Sequence, residues 1–190
     1  MKIEALQPAR LDETRRVVAE LFPWEDEHQM AVSAALTPER HGAFLVARGL
    51  EQTRFWTAIF DGSVVGVAAL YDYRGMPTET WLSWFGLLPV MRGHGGGGRF
   101  LDAIIQVARS EGRGVLRLWT TDEDEYRTAF RLYQKRGFLA EDCPALPNEN
   151  WRTLVMSLGL NGATPIPWFS VADRPALCGR VAPSAASMVA

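Results

Sequence analysis

Residues 87–101, with the sequence LLPVMRGHGGGGRFL, decide the fold of this 190-residue chain. They follow an apolar run at 79–88 that predicts a strand, and they lead into an apolar helical face that begins at Phe100 and Leu101. Five of the six residues at 93–98 are glycine, so successive backbone N–H groups can turn toward one point and an anion can approach them closely. The helix that follows adds unpaired N–H donors and the positive end of its dipole. The stretch therefore predicts a cradle for a polyphosphate.

Two common phosphate-binding motifs do not explain this cradle. A P-loop needs Lys followed by Ser or Thr after its last glycine, whereas Gly98 is followed by Arg99 and Phe100. The G-x-G-x-x-G spacing of dinucleotide-binding proteins does occur at 93–98. That motif belongs after the first strand of a parallel βαβ unit, however, and this copy lies mid-chain after a predicted hairpin. A flexible glycine-rich linker remains the alternative interpretation.

Outside the glycine-rich stretch, hydrophobic spacing predicts strands and helices in an order typical of a sheet covered by helices. Asp61 and Gly62 separate two of the strands and form a two-residue hairpin signal. Asp122 followed by Glu125 resembles a capping box that opens a helix. Strands are predicted at 2–6, 53–60, 63–73, 79–88, 115–120, from 138 onward and at 151–158, and helices over about 11–21, 27–36, 37–49, 100–108 and 122–137. This order predicts an α/β (α+β) fold.

Residues 161–190 differ in composition from the rest of the chain. They are rich in Pro, Ala, Ser and Gly and show no clear hydrophobic period. We therefore predict one domain over residues 1–160 and a C-terminal tail over 161–190 that is either flexible or packed on the domain. Trp168 and Phe169 are the residues by which such a tail would dock on the domain or on a partner.

Composition and charge argue against several classes of protein. Lys and Arg number 20 and Asp and Glu 22, for a net charge of -2, whereas a nucleic-acid-binding protein needs a basic surface. Cys143 and Cys178 lie far apart without metal-ligand spacing, and His28 and His41 have no ligand-like partners, so we expect neither a disulfide framework nor a metal site. The charged N-terminus shows no secretory segment, and no apolar run reaches the roughly 18 residues that span a bilayer. We therefore expect a cytoplasmic protein that acts without nucleic acid or membrane.

Two motifs resemble those of the GNAT acetyltransferase family. Residues 92–97, RGHGGG, fit its pyrophosphate-binding signature R/Q-x-x-G-x-G/A, and residues 129–138, AFRLYQKRGF, look like its A-x-x-L-Y-x-K-x-G-F segment. The order of predicted elements also resembles that family over residues 1–160. The resemblance implies a central mixed, mostly antiparallel sheet flanked by helices, acetyl-CoA as co-substrate and no metal. It leaves a homodimer open, by analogy of fold alone.

The resemblance also implies which residues contact the coenzyme. The backbone at Leu87 and Leu88 would belong to a bulged strand, 85–88, that pairs with the pantetheine arm, and the N–H near Leu87 would stabilise the thioester oxygen. Tyr126 stands where the family often has asparagine, a departure that makes Tyr126 a candidate for stacking on the coenzyme. The pyrophosphate would be held by the backbone amides of Arg92, Gly93, His94, Gly95, Gly96, Gly97 and Gly98.

Acetyl transfer to an amine requires that the amine lose a proton, that the thioester oxygen be stabilised and that the leaving thiolate be protonated. Tyr133 occupies the position where the family often keeps a tyrosine as the acid for the thiolate. The alternative is that Tyr133 only packs on the apolar face of its helix. Glu79 is the candidate base, with a solvated strand end as the alternative, and some members of the family use no dedicated base. Strand alternation places Glu79 with four other residues predicted to face the acceptor cleft: Trp81, Ser83, Phe85 and Leu87.

The acceptor side of the site is indicated less clearly. Residues 22–28, FPWEDEH, lie between the first two predicted helices, a region that commonly shapes the acceptor site in this family. Acidic groups there would attract a cationic amine, and Trp24 offers an apolar wall. An acidic helix start favoured by the helix dipole is the alternative. By strand alternation, at most one of Trp81 and Trp84 would line the cleft.

The function that the resemblance implies is transfer of acetyl from acetyl-CoA to an amine of a small molecule or peptide by direct attack. No cysteine lies near either motif, which argues against a covalent acyl-enzyme. One alternative is a non-catalytic acyl-CoA-binding regulatory module, and another is a cradle for a different nucleotide. Tyr133 favours catalysis, whereas the departure at Tyr126 favours the non-catalytic module.

Overall fold

The computed structural model describes residues 1–147, 149–171, 174–177 and 180. The chain forms two compact units, Met1–Glu111 and Gly112–Ala190. In the part of the chain that is described, no helix is long and apolar enough to cross a membrane.

All residues of the first unit are described, and they form an antiparallel sheet with four α-helices. The strands are neighbours in chain order, β1-β2-β3-β4. The elements are β1 (Lys2–Ala5), α1 (Leu11–Leu21), α2 (His28–Leu36), α3 (Gly42–Ala47), β2 (Leu50–Phe60), β3 (Ser63–Tyr73), β4 (Glu79–Leu87) and α4 (Gly96–Ser110), with short 3-10 turns at Pro8–Arg10, Pro38–Arg40 and Pro89–Met91.

The predicted hairpin between β2 and β3 is confirmed. Asp61 and Gly62 have φ angles of 49° and 79°, and a two-residue turn that follows the twist of the strands requires such positive values. The two strands are 11 residues long each and pair along their length. β2 begins at Leu50 instead of the predicted residue 53.

Helices α1 and α2 cover one face of this sheet. Burial of apolar surface between them and the strands is the main favourable term that holds the helices in place. The buried cluster consists of Leu6, Val17, Val18, Ala31, Val32, Phe55, Val64, Val67 and Ala69. Helix α4 packs on β4 through a contact between Phe85 and Phe100, whose ring centroids are 5.5 Å apart.

In the described part of the second unit, three strands pair antiparallel in the order β5-β7-β6. The elements are β5 (Val115–Thr121), α5 (Arg127–Lys135), β6 (Leu139–Asp142) and β7 (Thr153–Gly159), with 3-10 turns at Asp124–Tyr126 and Trp168–Ser170. The combination of helices with sheets that are antiparallel within each unit confirms the predicted fold class.

Two sequence-based details are wrong. The predicted capping box does not form, because Asp122 Oδ1 instead accepts a hydrogen bond from Arg152 N–H at 2.8 Å. The turn Asp124–Tyr126 precedes α5, which begins at Arg127 without a side-chain cap. The helix predicted over 37–49 is divided into the turn Pro38–Arg40 and α3.

The C-terminal segment packs on the sheet of the second unit. Trp168 is fully buried, and the guanidinium of Arg117 lies 5.5 Å from the centroid of its ring. Arg117 Nη2 also donates to the Ile166 carbonyl at 2.7 Å. The Glu141 carboxylate accepts from the backbone N–H groups of Trp168 at 2.6 Å and Phe169 at 3.0 Å. Trp168 of the predicted tail is thus buried, and the backbone at residues 166, 168 and 169 is hydrogen-bonded to side chains of the sheet. Residues 172–173, 178–179 and 181–190 lie outside the described residues. The boundary at residue 160 and the choice between a flexible and a packed tail stay predictions.

The structure describes one of the two cysteines. Cys143 is buried and forms no disulfide with any of the described residues. Cys178 lies outside the described residues.

Candidate active site

The glycine-rich stretch connects β4 to α4. After β4 ends at Leu87, the chain makes the turn Pro89–Met91 and reaches the N-cap of α4 at Gly95. Gly93 and Gly95 have φ angles of 82° and 72°. A side chain at either position would strain the backbone, so the path of the chain into α4 depends on these two glycines.

The first turn of α4 presents three backbone N–H groups that precede the first helical hydrogen bond. The first helical hydrogen bond runs from Arg99 N–H to the Gly95 carbonyl at 3.2 Å, so the N–H groups of Gly96, Gly97 and Gly98 precede it. None of the described residues accepts from these three groups. No side chain in the described part of the chain caps the helix, and its first turn contains no acidic residue. Unpaired donors at the positive end of a 15-residue helix are suited to bind an anion.

Two arginines flank these donors. Arg92 donates from Nε to the Leu87 carbonyl at 2.9 Å, which fixes the start of the loop to the end of β4. Arg99 Nη1 lies 3.5 Å from the His94 carbonyl, at the limit of a hydrogen bond. Both arginines and His94 are exposed. Together with the helix terminus, the two guanidinium groups give this stretch a positive potential that suits a pyrophosphate.

The end of β4 lies very close to β3. Leu87 pairs with Gly66, and Leu88 N–H donates to the Val65 carbonyl at 2.8 Å. A Cβ atom on Gly66 would lie 2.3 Å from Leu87 Cδ2 and 2.7 Å from the Gly86 carbonyl oxygen, so only glycine allows this approach. The Leu88 carbonyl accepts from the Met91 N–H at 2.9 Å. Because the Leu88 N–H is also engaged, with β3, any contact of Leu88 with a coenzyme would use the second lone pair of its carbonyl or its side chain.

A β-bulge interrupts β4 at Trp84. Val67 pairs with Gly86 and Ala69 pairs with Ser83, so two residues of β4 lie opposite one residue of β3. Trp84 has a φ angle of 42°. This left-handed conformation costs a residue other than glycine about 1–2 kcal/mol, and the surrounding structure must offset it.

Two contacts hold Trp84 in this conformation. Its ring stacks on Phe55, with centroids 5.7 Å apart and planes 15° from parallel. Its indole Nε1 donates to Glu25 Oε2 at 2.7 Å. Glu25 belongs to residues 22–27, which connect α1 to α2 and are called the α1–α2 loop below. The sequence does not reveal this pair, because an aromatic strand residue with positive φ leaves no periodic signal.

The bulge reverses the side-chain alternation predicted for β4. Trp81 pairs with Tyr71 and stacks on it at 6.1 Å, on the face of the sheet that the first three helices cover. Trp84 lies on the same face, whereas Phe85 points to Phe100 of α4. The extra residue thus shifts everything after Ser83 by one position. The prediction that one face of β4 carries all of Glu79, Trp81, Ser83, Phe85 and Leu87 is therefore wrong. The prediction that Trp81 and Trp84 lie on opposite faces is wrong as well.

The candidate base lies at the start of the same strand. Glu79 is the first residue of β4 and is half-buried. Its N–H donates to the Met76 carbonyl at 3.2 Å, which closes the turn before the strand. The role of its carboxylate as a base stays a prediction.

In the second unit, the candidate acid Tyr133 lies on α5 and is buried. Its ring centroid is 5.7 Å from that of Phe138. Burial raises the pKa of the Tyr133 phenol, because the phenolate would lose its hydration. The phenol therefore stays protonated at physiological pH, as a proton donor must. Tyr126 is half-buried and forms the N-cap of the same helix, and its N–H donates to the Glu123 carbonyl at 3.0 Å.

His28 and His41 lie within hydrogen-bonding distance of backbone carbonyls. His28 Nε2 lies 3.2 Å from the Phe22 carbonyl and His41 Nδ1 lies 2.9 Å from the Thr37 carbonyl. Among the described residues, no group of three or more His, Cys, Asp and Glu side chains could hold a metal ion.

A family model described as "Acetyltransferase (GNAT) family" matches residues 12–138 of the chain. This protein belongs to the GNAT acetyltransferase family. The matched range contains both the glycine-rich stretch and the segment 129–138, so the resemblance inferred from those motifs is confirmed. Family membership also confirms the predicted enzyme class, an acetyl-CoA-dependent N-acyltransferase.

Individual relatives agree with this GNAT membership. The chain is similar to an uncharacterized N-acetyltransferase of Mycobacterium tuberculosis (strain ATCC 25618 / H37Rv), with 32% identity over 138 residues, or 67% of this chain and 81% of the relative. It is also similar to the crystal structure of a GNAT-family protein from Desulfovibrio desulfuricans, with a TM-score of 0.65 and 21% identity over 83% of this chain and 98% of that one. A Salmonella typhimurium structure with its cofactor acetyl-CoA has a TM-score of 0.62 and 20% identity over 88% of this chain and 98% of that one. The two structural likenesses confirm the fold.

Proposed function

We propose that this GNAT protein transfers the acetyl group of acetyl-CoA to an amine of a small molecule or peptide by direct attack. The observation that carries the proposal is the start of α4, where the N–H groups of Gly96, Gly97 and Gly98 find no acceptor among the residues that the structure describes. Arg92 and Arg99 flank these donors. A diphosphate carries the negative charge and the acceptor oxygens that such a cluster of donors and cations binds.

In this proposal, the backbone around the glycine-rich stretch holds the coenzyme. The pantetheine arm lies along the end of β4 at Leu87 and Leu88, and Tyr126 contacts another part of the coenzyme. The backbone N–H near Leu87 donates to the thioester oxygen as negative charge develops there. The pyrophosphate is bound by the stretch Arg92, Gly93, His94, Gly95, Gly96, Gly97 and Gly98.

The proposed reaction needs two proton transfers. The lone pair of the amine attacks the thioester carbonyl, the new C–N bond forms and the C–S bond breaks. Glu79 accepts the proton that the amine loses, directly or through water, and Tyr133 donates the proton that the leaving thiolate gains. The raised pKa of Tyr133 supports the second role in one respect, because it keeps the phenol in the protonated form before transfer.

The setting of the reaction is part of the proposal. We infer a cytoplasmic enzyme that needs no metal, nucleic acid or membrane, with a catalytic domain over residues 1–160, a C-terminal tail over 161–190 and a homodimer left open. The net charge of -2 and the two widely separated cysteines support this setting.

A second candidate is a non-catalytic acyl-CoA-binding regulatory module. The observation that favours it is Tyr126, which stands where the family often has asparagine. Replacing Tyr133 with phenylalanine separates the two candidates, because an enzyme should lose turnover and keep coenzyme affinity. A module would show no turnover in either form.

The proposal is tested by calorimetric titration of the protein with acetyl-CoA, desulfo-CoA and ATP, followed by an assay of CoA release with primary amines. We expect saturable binding of both CoA compounds, no binding of ATP, and CoA release with at least one amine. Binding of ATP in competition with CoA would assign the cradle to another nucleotide. Absence of CoA binding would refute the coenzyme site at residues 92–98.

A further inference from the structure

The α1–α2 loop is tied to β4 through the side chain of Glu25. Glu25 is half-buried, whereas its neighbours Trp24 and Asp26 are exposed. The loop therefore turns this carboxylate inward, where Oε2 accepts from Trp84 Nε1 at 2.7 Å. An ionised acceptor makes such a hydrogen bond stronger than one between neutral groups.

Other contacts anchor the two ends of the same loop. The Phe22 ring meets Trp24 edge to face, with centroids 6.1 Å apart, and the Phe22 carbonyl lies 3.2 Å from His28 Nε2. Glu27 pairs with Arg48 next to α3. With both ends held, the contact of Glu25 with β4 determines where the middle of the loop lies.

The partner of Glu25 is the residue on which the bulge of β4 depends. Trp84 holds the positive φ angle, and the pairing with β3 shifts by one residue there. Without the bulge, the residues after Trp84 would move by one position and turn to opposite faces of the sheet. Phe85 would then lose its ring contact with Phe100, and the Leu87 side chain would turn to the opposite face of the sheet. The position of Leu87 thus depends on Trp84.

We propose that the Glu25–Trp84 hydrogen bond couples the α1–α2 loop to the bulged strand, and that Glu25 and Trp84 are positioning residues for acetyl transfer. The bond holds the loop in place for the acceptor amine while it keeps Leu87 aligned with the thioester. This inference rests on the proposed function, in which neither residue contacts the coenzyme.

Three substitutions test the coupling in the full chain. Trp84→Phe keeps a ring to stack on Phe55 but removes the N–H donor. Glu25→Ala removes the acceptor, and Glu25→Gln retains an acceptor oxygen. Two controls are matched in chemistry: Glu20→Ala removes an exposed carboxylate from α1, and Trp151→Phe changes a partly exposed tryptophan of the second unit.

The first measurement is amide hydrogen exchange in residues 22–27, with thermal unfolding as a check of folding. We expect exchange to rise on the order of tenfold in Trp84→Phe and Glu25→Ala, the factor that corresponds to loss of one hydrogen bond to a charged group. Glu25→Gln, whose neutral oxygen accepts a weaker hydrogen bond, should lie between the wild type and Glu25→Ala. Both controls should equal the wild type. Unchanged exchange in Glu25→Ala would overturn the coupling, whether or not the protein acetylates any amine.

The second measurement is steady-state CoA release with a panel of small primary amines and short peptides. We expect kcat/KM for the amine to fall about tenfold in Trp84→Phe and Glu25→Ala, with the KM for acetyl-CoA unchanged. Glu25→Gln should restore part of the activity, because it retains an acceptor without the charge. Equal losses in the controls, or a loss confined to acetyl-CoA binding, would refute the positioning roles. If the wild type neither binds acetyl-CoA nor releases CoA, the proposed function fails and the positioning roles fail with it. Hydrogen exchange would still decide whether the loop and the strand are coupled.

Discussion

Replacing Trp168 with alanine should strongly destabilise the protein. The Trp168 side chain is fully buried, although it lies in the segment whose composition predicts a tail. Its ring covers the guanidinium of Arg117, whose own exposure is 0%. Removing the ring would leave a large cavity beside a buried cation.

The expected loss follows from these contacts. Truncation of a buried tryptophan to alanine costs about 3–5 kcal/mol, and a desolvated cation–π contact contributes about 2 kcal/mol. Part of the second term is already contained in the first, so we expect a loss of about 4–6 kcal/mol. This is a large share of the roughly 5–15 kcal/mol that stabilises a typical protein.

Urea unfolding followed by circular dichroism measures this loss without relying on tryptophan fluorescence. The control is Trp151→Ala, which truncates a side chain that is 38% exposed and should cost about 1 kcal/mol or less. A loss below about 1 kcal/mol for Trp168→Ala would refute the reasoning, because it would mean that the ring is not packed in solution.

Four further predictions concern the glycine-rich stretch, the contact between β3 and β4, and the candidate acid, for which there are two. Gly97→Asp should weaken acetyl-CoA binding about tenfold in calorimetry, because it places a carboxylate among the donors proposed to bind the pyrophosphate. Gly42→Asp, at the start of α3 with open space around it, should have no effect. Equal affinity of the two variants would contradict the cradle. Gly66→Ala should lower the free energy of unfolding by about 1–3 kcal/mol in thermal unfolding, since its Cβ would lie 2.3 Å from Leu87 Cδ2. Wild-type stability of this variant would show that the strands are not this close. Tyr133→Phe should lower kcat and leave acetyl-CoA affinity unchanged, and unchanged kcat would exclude Tyr133 as the acid. Because burial raises the pKa of Tyr133 above the unfolded value of 10.0, its contribution to stability is fully present below pH 10 and declines above it; Tyr133→Phe should remove that decline in unfolding curves measured across this pH range.

Much of the fold could be predicted from local patterns. The hairpin at Asp61 and Gly62 and the start of α4 after Gly95 depend on backbone conformations that glycine and its neighbours favour by themselves. The candidate cradle could be located for the same reason, since its donors belong to consecutive residues. Element ends were less predictable, as at Asp122, where the carboxylate bonds to Arg152 instead of opening α5.

The candidate acceptor face could not be predicted, because strand alternation assumes an uninterrupted strand. One residue with positive φ, Trp84, reverses the alternation, so Phe85 and Trp81 lie on opposite faces of β4. Nothing in the local sequence favours that conformation. It is held by Phe55 and Glu25, and the latter lies 59 residues away.

The sequence by itself determined the order of helices and strands, the family and the place of the candidate glycine-rich anion site, because these depend on hydrophobic period and backbone freedom over short stretches. The tertiary structure alone decided which face of β4 each side chain occupies and that Trp168 is buried. It also decided that Glu25 turns inward. Each of these outcomes is a contact between residues far apart in the chain, such as Arg117 and Ile166 at a separation of 49. The free energy of such contacts arises only when the packed core brings the partners together.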